Sequence, residues 1–301
     1  MPATRLVLFN PASGSALFGR SARHAVEFLA SVPGTLVCET EPGRLTAQVR
    51  GNLAAGIARV YAVGGDGTAG DVAAALAGTS VELGIVPCGT TNVLAREFGI
   101  PLVPRRAAEA LEASNRALPL RTWDANGRTA VLGAGVGWDA RVMGRSSQEL
   151  KQRAGRLGVA LVGLGEIARY EFPALTVTGT TGRGEAVELR GTSVLLATVK
   201  RWAGGNVGIP MADPGDDLID VVVIESRSRL HLLAFWSLMT VPGGRPLALP
   251  GVRAVQLTRA RVVSDDGRPV EVHVNGEAVT RTPLVMEPDG VVRVIIPLRG
   301  A

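Results

Sequence analysis

The chain has 301 residues, 46% of them apolar and 20% charged, with 32 Lys and Arg against 27 Asp and Glu. That length fits about two domains of ~150 residues, each able to bury a core, and the surplus of 32 − 27 = 5 positive charges suits an anionic partner such as a nucleotide or an acidic membrane surface. Aromatic residues make up only 4% and no Lys/Arg block interleaves with them, which argues against nucleic acid as a partner; two cysteines, Cys38 and Cys88, build neither a disulfide framework nor a metal site.

Residues 6–9, 36–38, 59–63 and 83–86 are short apolar runs bounded by Gly, Pro or Asn. Between and after them, residues 24–30, 45–55, 69–76 and 107–113 have helical spacing. This alternation predicts parallel βαβ units with helices on both faces. From about residue 118 the rhythm changes. Residues 129–137, 174–177, 193–199, 218–224, 252–257, 270–274 and 291–296 read as strands, and Asn126-Gly127, Asp266-Gly267 and Asp289-Gly290 read as turns between some of them. Two helical stretches, 148–168 and 230–239, interrupt this β-rich part. The predicted division is a nucleotide-binding α/β domain over 1–119 and a β-sandwich over 120–301, with the extreme C-terminus able to return to the first domain. The first apolar stretch is too short for a signal segment, and no run approaches the ~18 apolar residues of a membrane span. The expectation is a cytoplasmic protein that touches a membrane peripherally.

Val63-Gly64-Gly65-Asp66-Gly67-Thr68 joins a predicted strand to a helix start. Glycines let backbone approach a phosphate, and the free N–H groups of a first helical turn face it. Asp66 is the odd member, because a carboxylate repels phosphate unless a metal or proton is handled there. The alternative is a turn closed by an Asx-type bond. Asn10-Pro11-Ala12-Ser13-Gly14 ends the first strand, and Pro87-Cys88-Gly89-Thr90-Thr91-Asn92 ends the fourth and leads into a helix over 93–98. An ordinary strand-end loop and a plain helix cap are their alternatives. Parallel strands would bring all three loops to one rim, where α/β sheets bind ligands. No GxxxxGK[ST] occurs, so this is no P-loop NTPase.

These three segments resemble, in order and spacing, the nucleotide-site motifs of the diacylglycerol kinase catalytic-domain family, which includes bacterial lipid kinases and sphingosine and ceramide kinases. The resemblance runs over the whole chain. Gly133-Ala-Gly-Val-Gly-Trp-Asp-Ala140, Gly204-Gly205, Pro210 to Asp220, and Val274-Asn-Gly-Glu277 resemble its C-terminal elements, which separate lipid kinases from NAD kinases and phosphofructokinases that share GGDG. The resemblance implies an ATP- and Mg²⁺-dependent kinase acting on a hydroxyl of a membrane lipid of diacylglycerol, ceramide or sphingoid type. It implies that Asn10, Pro11, Ser13, Gly14, Thr40, Gly64, Gly65, Asp66, Gly67, Thr68, Gly89, Thr90 and Asn92 hold ATP. It assigns Mg²⁺ to the Asp216 carboxylate with main-chain oxygens of Asp213 and Leu218, and the general base to Glu277 or, as in the sphingosine and ceramide branch, to Asp66. Asp217 stands where the family usually has Gly, Asn275 where it has Asp, and Val93 where many members have Asp. An NAD-kinase-like soluble kinase and an inactive nucleotide- or lipid-binding regulator are the alternatives. Self-association as a homodimer stays open.

Weaker features have two readings each. Arg141, Arg145, Lys151, Arg153 and Arg156 precede an apolar stretch, as a membrane-docking basic face or a solvated helix face. Residues 230–241, with Phe235 and Trp236, suit a core helix better than an acyl-chain cover. His24, His231 and His273 have no metal or triad spacing. Cys88 reads as a small buried residue rather than a reactive thiol.

Overall fold

The short apolar runs of the first third fold as parallel strands because both of their faces are covered. In chain order the elements are β1 (Arg5–Phe9), α1 (Ala16–Ala30), β2 (Thr35–Glu39), α2 (Leu45–Leu53), β3 (Arg59–Gly64), α3 (Asp66–Leu76), β4 (Glu82–Pro87), α4 (Val93–Glu97) and α5 (Pro104–Glu112). The computed structural model describes residues 4–9, 16–41, 44–53, 56–146, 148–202 and 205–298. The strands lie in the order β2-β1-β3-β4, all parallel. Leu6, Val7, Leu8, Val60, Tyr61, Val63 and Leu83 are fully buried, whereas Leu36 and Val37 on the edge strand β2 are exposed. Continuous apolar runs are what a parallel strand covered on two sides requires.

The remaining elements are β5 (Ala117–Ala125), β6 (Thr129–Ala130), β7 (Gly133–Val136), α6 (Trp138–Arg145), α7 (Gln148–Arg169), β8 (Leu175–Thr180), β9 (Ala186–Gly191), β10 (Ser193–Ala197), β11 (Arg201–Trp202), β12 (Asn206–Val207), β13 (Ile219–Ile224), α8 (Arg229–Thr240), β14 (Val252–Leu257), β15 (Arg259–Ser264), β16 (Glu271–Val274), β17 (Glu277–Arg281) and β18 (Leu284–Ile295). The chain divides into two units, Met1–Thr122 with Gly290–Ala301, and Trp123–Asp289. In the first, the end of β18 adds to the parallel sheet, with Arg293 and Val294 opposite Glu82 and Leu83 of β4.

In the second unit one antiparallel sheet runs β14-β13-β10-β7-β16-β17. A second places β9, β8, β15 and the start of β18 side by side. Strand alternation builds two cores from the same strands. Val194, Leu196, Ile219, Val221 and Val223 face the sandwich core with Val177, Val262, Leu284 and Met286. Leu195, Ala197, Val222 and Ile224 face the other way, into a core with Trp138, Ile167, Leu232, Phe235 and Trp236 from α6, α7 and α8. No helix among the described residues is long and apolar enough to cross a membrane.

Three expectations change. Asp289-Gly290 is no turn, because β18 runs straight through it. A Cβ on Gly290 would lie 3.0 Å from Ala77 Cβ and 3.2 Å from Gly78 N, so the glycine marks a close backbone approach rather than a reversal. Residues 129–137 are two strands, not one, with a break at Val131 and Leu132 whose N–H groups turn to a side chain, that of Asn275. Strands β5, β9, β11, β12, β15 and β17 went unpredicted; most carry charged or Thr residues among their apolar ones.

Candidate active site

Gly64 closes β3, Gly65 is the N-cap of α3, and Asp66-Gly67-Thr68 form its first turn. Pro87 ends β4 directly opposite Gly64, and the Cys88 N–H donates to Gly64 O at 2.7 Å. The two loops touch because neither has a side chain at the crossing. A Cβ on Gly89 would lie 2.8 Å from Gly65 Cα and 3.0 Å from Asn92 Oδ1. Thr68 folds over Gly64, where a Cβ would meet its Oγ1 at 2.5 Å. Thr40 follows β2 on the same rim, its N–H on Phe9 O at 2.9 Å. Asn10, Pro11, Ser13 and Gly14 lie outside the described residues.

Asp66 ties these loops together. Thr91 Oγ1 donates to Asp66 Oδ2 at 3.0 Å, and the Leu94 N–H donates to Asp66 Oδ1 at 3.1 Å. The start of α4 is therefore capped from the neighbouring loop. Asn92, at the cap position itself, sits in the left-handed region with φ 48° and makes no cap bond. Its amide closes the loop instead, accepting from Gly89 N at 2.9 Å and donating to Gly89 O at 2.8 Å. Asparagine tolerates this backbone better than most residues. Nothing local in the sequence marks Asp66 as the partner of Thr91. Thr90 and Gly67 are exposed on this rim.

In the second unit, Asn275-Gly276 is a two-residue hairpin turn between β16 and β17, with φ 53° and 81°. Both central residues at positive φ match the twist of the flanking strands, and Asn-Gly suits that turn. Asn275 Oδ1 accepts from Val131 N at 2.9 Å and Leu132 N at 3.0 Å, and its Nδ2 donates to Thr129 O at 2.8 Å. Glu277 opens β17 directly after this anchored turn and is exposed.

Residues 213–218 form a compact loop before β13. Asp213 Oδ1 accepts from Gly215 N at 2.9 Å, and Asp216 Oδ1 accepts from Leu218 N at 3.0 Å. Asp220, 2% exposed, has no hydrogen-bond partner for either carboxylate oxygen among the described residues. Burial pushes its carboxyl up to about 6; Gln256, opposite it in the β13–β14 ladder, offsets part, and Asp216 and Asp213 add to the rise. No three acidic, His or Cys side chains among the described residues gather as a metal cage. The donors nevertheless suit Mg²⁺, which takes one or two carboxylates, carbonyl oxygens and water. The orphaned Asp220 carboxylate marks a place that lacks positive charge.

Arg141 and Arg145 both reach the buried Glu166 Oε2 at 3.1 Å, Arg141 largely buried and Arg145 half exposed. This cluster ties α6 to α7, and its one carboxylate offsets one of the two positive charges. The side chains of Lys151, Arg153 and Arg156 lie outside the described residues. Phe235 and Trp236 are core residues, Trp236 packed against Trp138 with centroids 4.7 Å apart and rings tilted by 37°. Cys88 is fully buried, and burial pushes its thiol up to about 12.

A parallel α/β unit with glycine loops at the ends of adjacent strands, joined to a β-sandwich, defines a two-part kinase of the NAD-kinase-like architecture. The chain matches the diacylglycerol kinase catalytic domain over residues 4–122 and the YegS C-terminal NAD kinase beta sandwich-like domain over 132–296. It is 31% identical over 281 residues to a diacylglycerol kinase of Mycobacterium tuberculosis strain H37Rv, covering 90% of this chain and 87% of that one. It is 34% identical over 190 residues to a probable lipid kinase YegS-like of Pseudomonas aeruginosa PAO1, covering 61% and 60%. In fold it is similar to a putative diacylglycerol kinase from Bacillus anthracis, with TM-score 0.76, 22% identity and 97% and 95% of the two chains covered. Yeast NADH kinase shares the fold more distantly, with TM-score 0.51, 12% identity and 99% and 85% covered. The chain belongs to the diacylglycerol kinase family of lipid kinases.

Proposed function

We propose that the protein transfers the γ-phosphate of ATP to a hydroxyl of a membrane lipid of diacylglycerol, ceramide or sphingoid type. The observation that supports this most is the pair of glycine loops locked edge to edge at the ends of β3 and β4, in a chain of this family. Phosphoryl transfer asks for positioning and charge neutralisation more than covalent chemistry. The 64–68 loop presents first-turn N–H groups of α3 to the triphosphate, with Asn10, Pro11, Ser13, Gly14, Thr40, Gly89, Thr90 and Asn92 completing the nucleotide site. Glu277 is the general base that takes the acceptor's proton; a positioned base contributes about 10²–10⁴-fold. Asp66 is the loop tie that sets the nucleotide site rather than the base. Asp216, with oxygens of Asp213 and Leu218, holds Mg²⁺, which supplies charge neutralisation when bound. The enzyme meets its lipid by peripheral contact with an anionic membrane surface.

The test is transfer of labelled γ-phosphate to micellar diacylglycerol, ceramide, sphingosine, phosphatidylglycerol and undecaprenol, with NAD as soluble control, with and without Mg²⁺. A labelled lipid, lost in Glu277→Gln, is the expected result. Label only in NADP overturns the lipid reading, and ATP binding with no product overturns the enzymatic one.

A further inference from the structure

A buried polar chain lies behind the hairpin that carries Glu277. His273, 2% exposed, accepts the Gly276 N–H at its Nδ1, 3.2 Å away. That bond leaves the ring proton on Nε2, which faces Asp139 Oδ2 at 2.7 Å and donates to it. Asp139, 4% exposed, sits in the first turn of α6 and accepts a second bond from Trp202 Nε1 at 3.3 Å. A carboxylate suits a helix N-terminus, which carries partial positive charge.

The surrounding backbone is shaped around this pair. Gly135 lies opposite His273 in the β7–β16 ladder. A Cβ there would stand 2.4 Å from His273 Nε2 and 2.9 Å from Asp139 Oδ2, so the pair occupies the volume of a missing side chain. The β16–β17 register shifts between Val272 and His273. Such a bulge re-aims a side chain. Here it falls at the residue that reaches into the turn. Buried carboxylates and imidazoles are costly unless paired and hydrogen-bonded, and a fully satisfied pair of this kind fixes local geometry.

We propose that His273, oriented by Asp139 and Trp202, is a positioning residue that grips the Asn275-Gly276 turn from inside and so sets the Glu277 carboxylate. The inference rests on Glu277 being the base. Asn275 holds the turn to residues 129–132, and His273 holds it to α6. The turn is thus fixed from two elements, and the residue that follows it inherits that placement.

Two substitutions of His273 separate its two bonds. In His273→Asn the side-chain oxygen reaches the position of Nδ1 and still accepts from Gly276. In His273→Gln the amide nitrogen reaches the position of Nε2 and still donates to Asp139, but the bond from Gly276 N–H to residue 273 is lost. The readouts are amide hydrogen exchange at Gly276, thermal midpoint, and kcat and KM for ATP with whichever lipid of the panel is phosphorylated, on the full chain. Expected is faster Gly276 exchange and a kcat lowered about tenfold in His273→Gln, the worth of one good hydrogen bond. KM for ATP should hold, and His273→Asn should recover most of the exchange protection and turnover. Unchanged Gly276 exchange in His273→Gln, or equal losses in both variants tracking the thermal midpoint, overturns the proposal. If Glu277→Gln keeps wild-type turnover, the base assignment itself fails; if only His273→Gln does, the positioning role fails alone.

Discussion

Asp66→Asn separates the two possible bases. Each Asp66 oxygen accepts one bond, from Thr91 Oγ1 and from the Leu94 N–H. An asparagine oriented with its oxygen toward Leu94 N keeps that bond. Its amide nitrogen then donates to Thr91 Oγ1, whose hydroxyl can rotate to accept. Both contacts survive, and what is lost is the extra strength of an ionised acceptor, about 1 kcal/mol per bond. As a loop tie, Asp66→Asn should therefore lower kcat by about thirtyfold at most, with KM for ATP changed by only a few fold. Asp66→Ala removes both bonds and should lower the thermal midpoint and weaken ATP binding together. Loss of a general base instead costs about 10²–10⁴-fold in kcat at unchanged stability. Steady-state lipid phosphorylation beside thermal unfolding of Asp66→Asn, Asp66→Ala and Glu277→Gln decides it. An Asp66→Asn enzyme as inactive as Glu277→Gln, yet as stable as wild type, would refute the loop-tie role.

Gly89→Ala forces a Cβ to within 2.8 Å of Gly65 Cα. It should destabilise the unit by about 1–3 kcal/mol and raise the ATP dissociation constant measured by calorimetry; an unchanged affinity would mean the loops separate without consequence. The Asp220 carboxyl stands at about 6 in the fold, above its ordinary value. The folded state therefore binds the proton more tightly, and the stability this lends is full below about pH 4 and lost as pH rises to about 6, at most about 3 kcal/mol. In chelator, Asp220→Asn should match wild type near pH 4 and exceed it at pH 7 in denaturant unfolding; a less stable variant at pH 7 would show that the carboxylate has a partner. With its thiol pushed up to about 12, Cys88 is thiolate in only about one molecule in 10⁴ at pH 8. A disulfide reagent should titrate Cys88 only on unfolding, and rapid modification of both cysteines in the folded protein would contradict its burial.

The α/β unit was legible because fully buried strands such as residues 59–63 and 83–86 leave unbroken apolar runs, and glycines and asparagines mark their ends. Strand β9 shows where that signal fails. Its burial alternates along Ala186–Gly191, and it carries Glu188 and Arg190 on the open side. Asp289-Gly290 misled for another reason, since the dipeptide that favours turns also serves where backbones crowd. At the site, the glycine loops could be read locally, but the bonds that organise them could not. Asp66 meets Thr91 25 residues on, and His273 meets Asp139 across 134 residues. A lone histidine between valines carries no spacing that announces a partner so distant.

Asn275 shows how a departure from a family pattern can be local chemistry rather than decay. The family usually has a carboxylate here, and losing it removes one negative charge beside Glu277. In this chain the side chain faces two N–H donors, of Val131 and Leu132, and one carbonyl acceptor, of Thr129. A carboxylate satisfies the donors but would set an oxygen against Thr129 O at the 2.8 Å now spanned by an N–H. The amide serves all three, and it tolerates the positive φ of 53° that the turn demands. Asn275→Asp thus trades a donated bond for a repulsion on one side and strengthens two accepted bonds on the other, while leaving the backbone able to make the turn. In this chain the amide matches the break between β6 and β7, where two N–H groups and one carbonyl turn to it. The Glu277 turn is held to that break by the same amide.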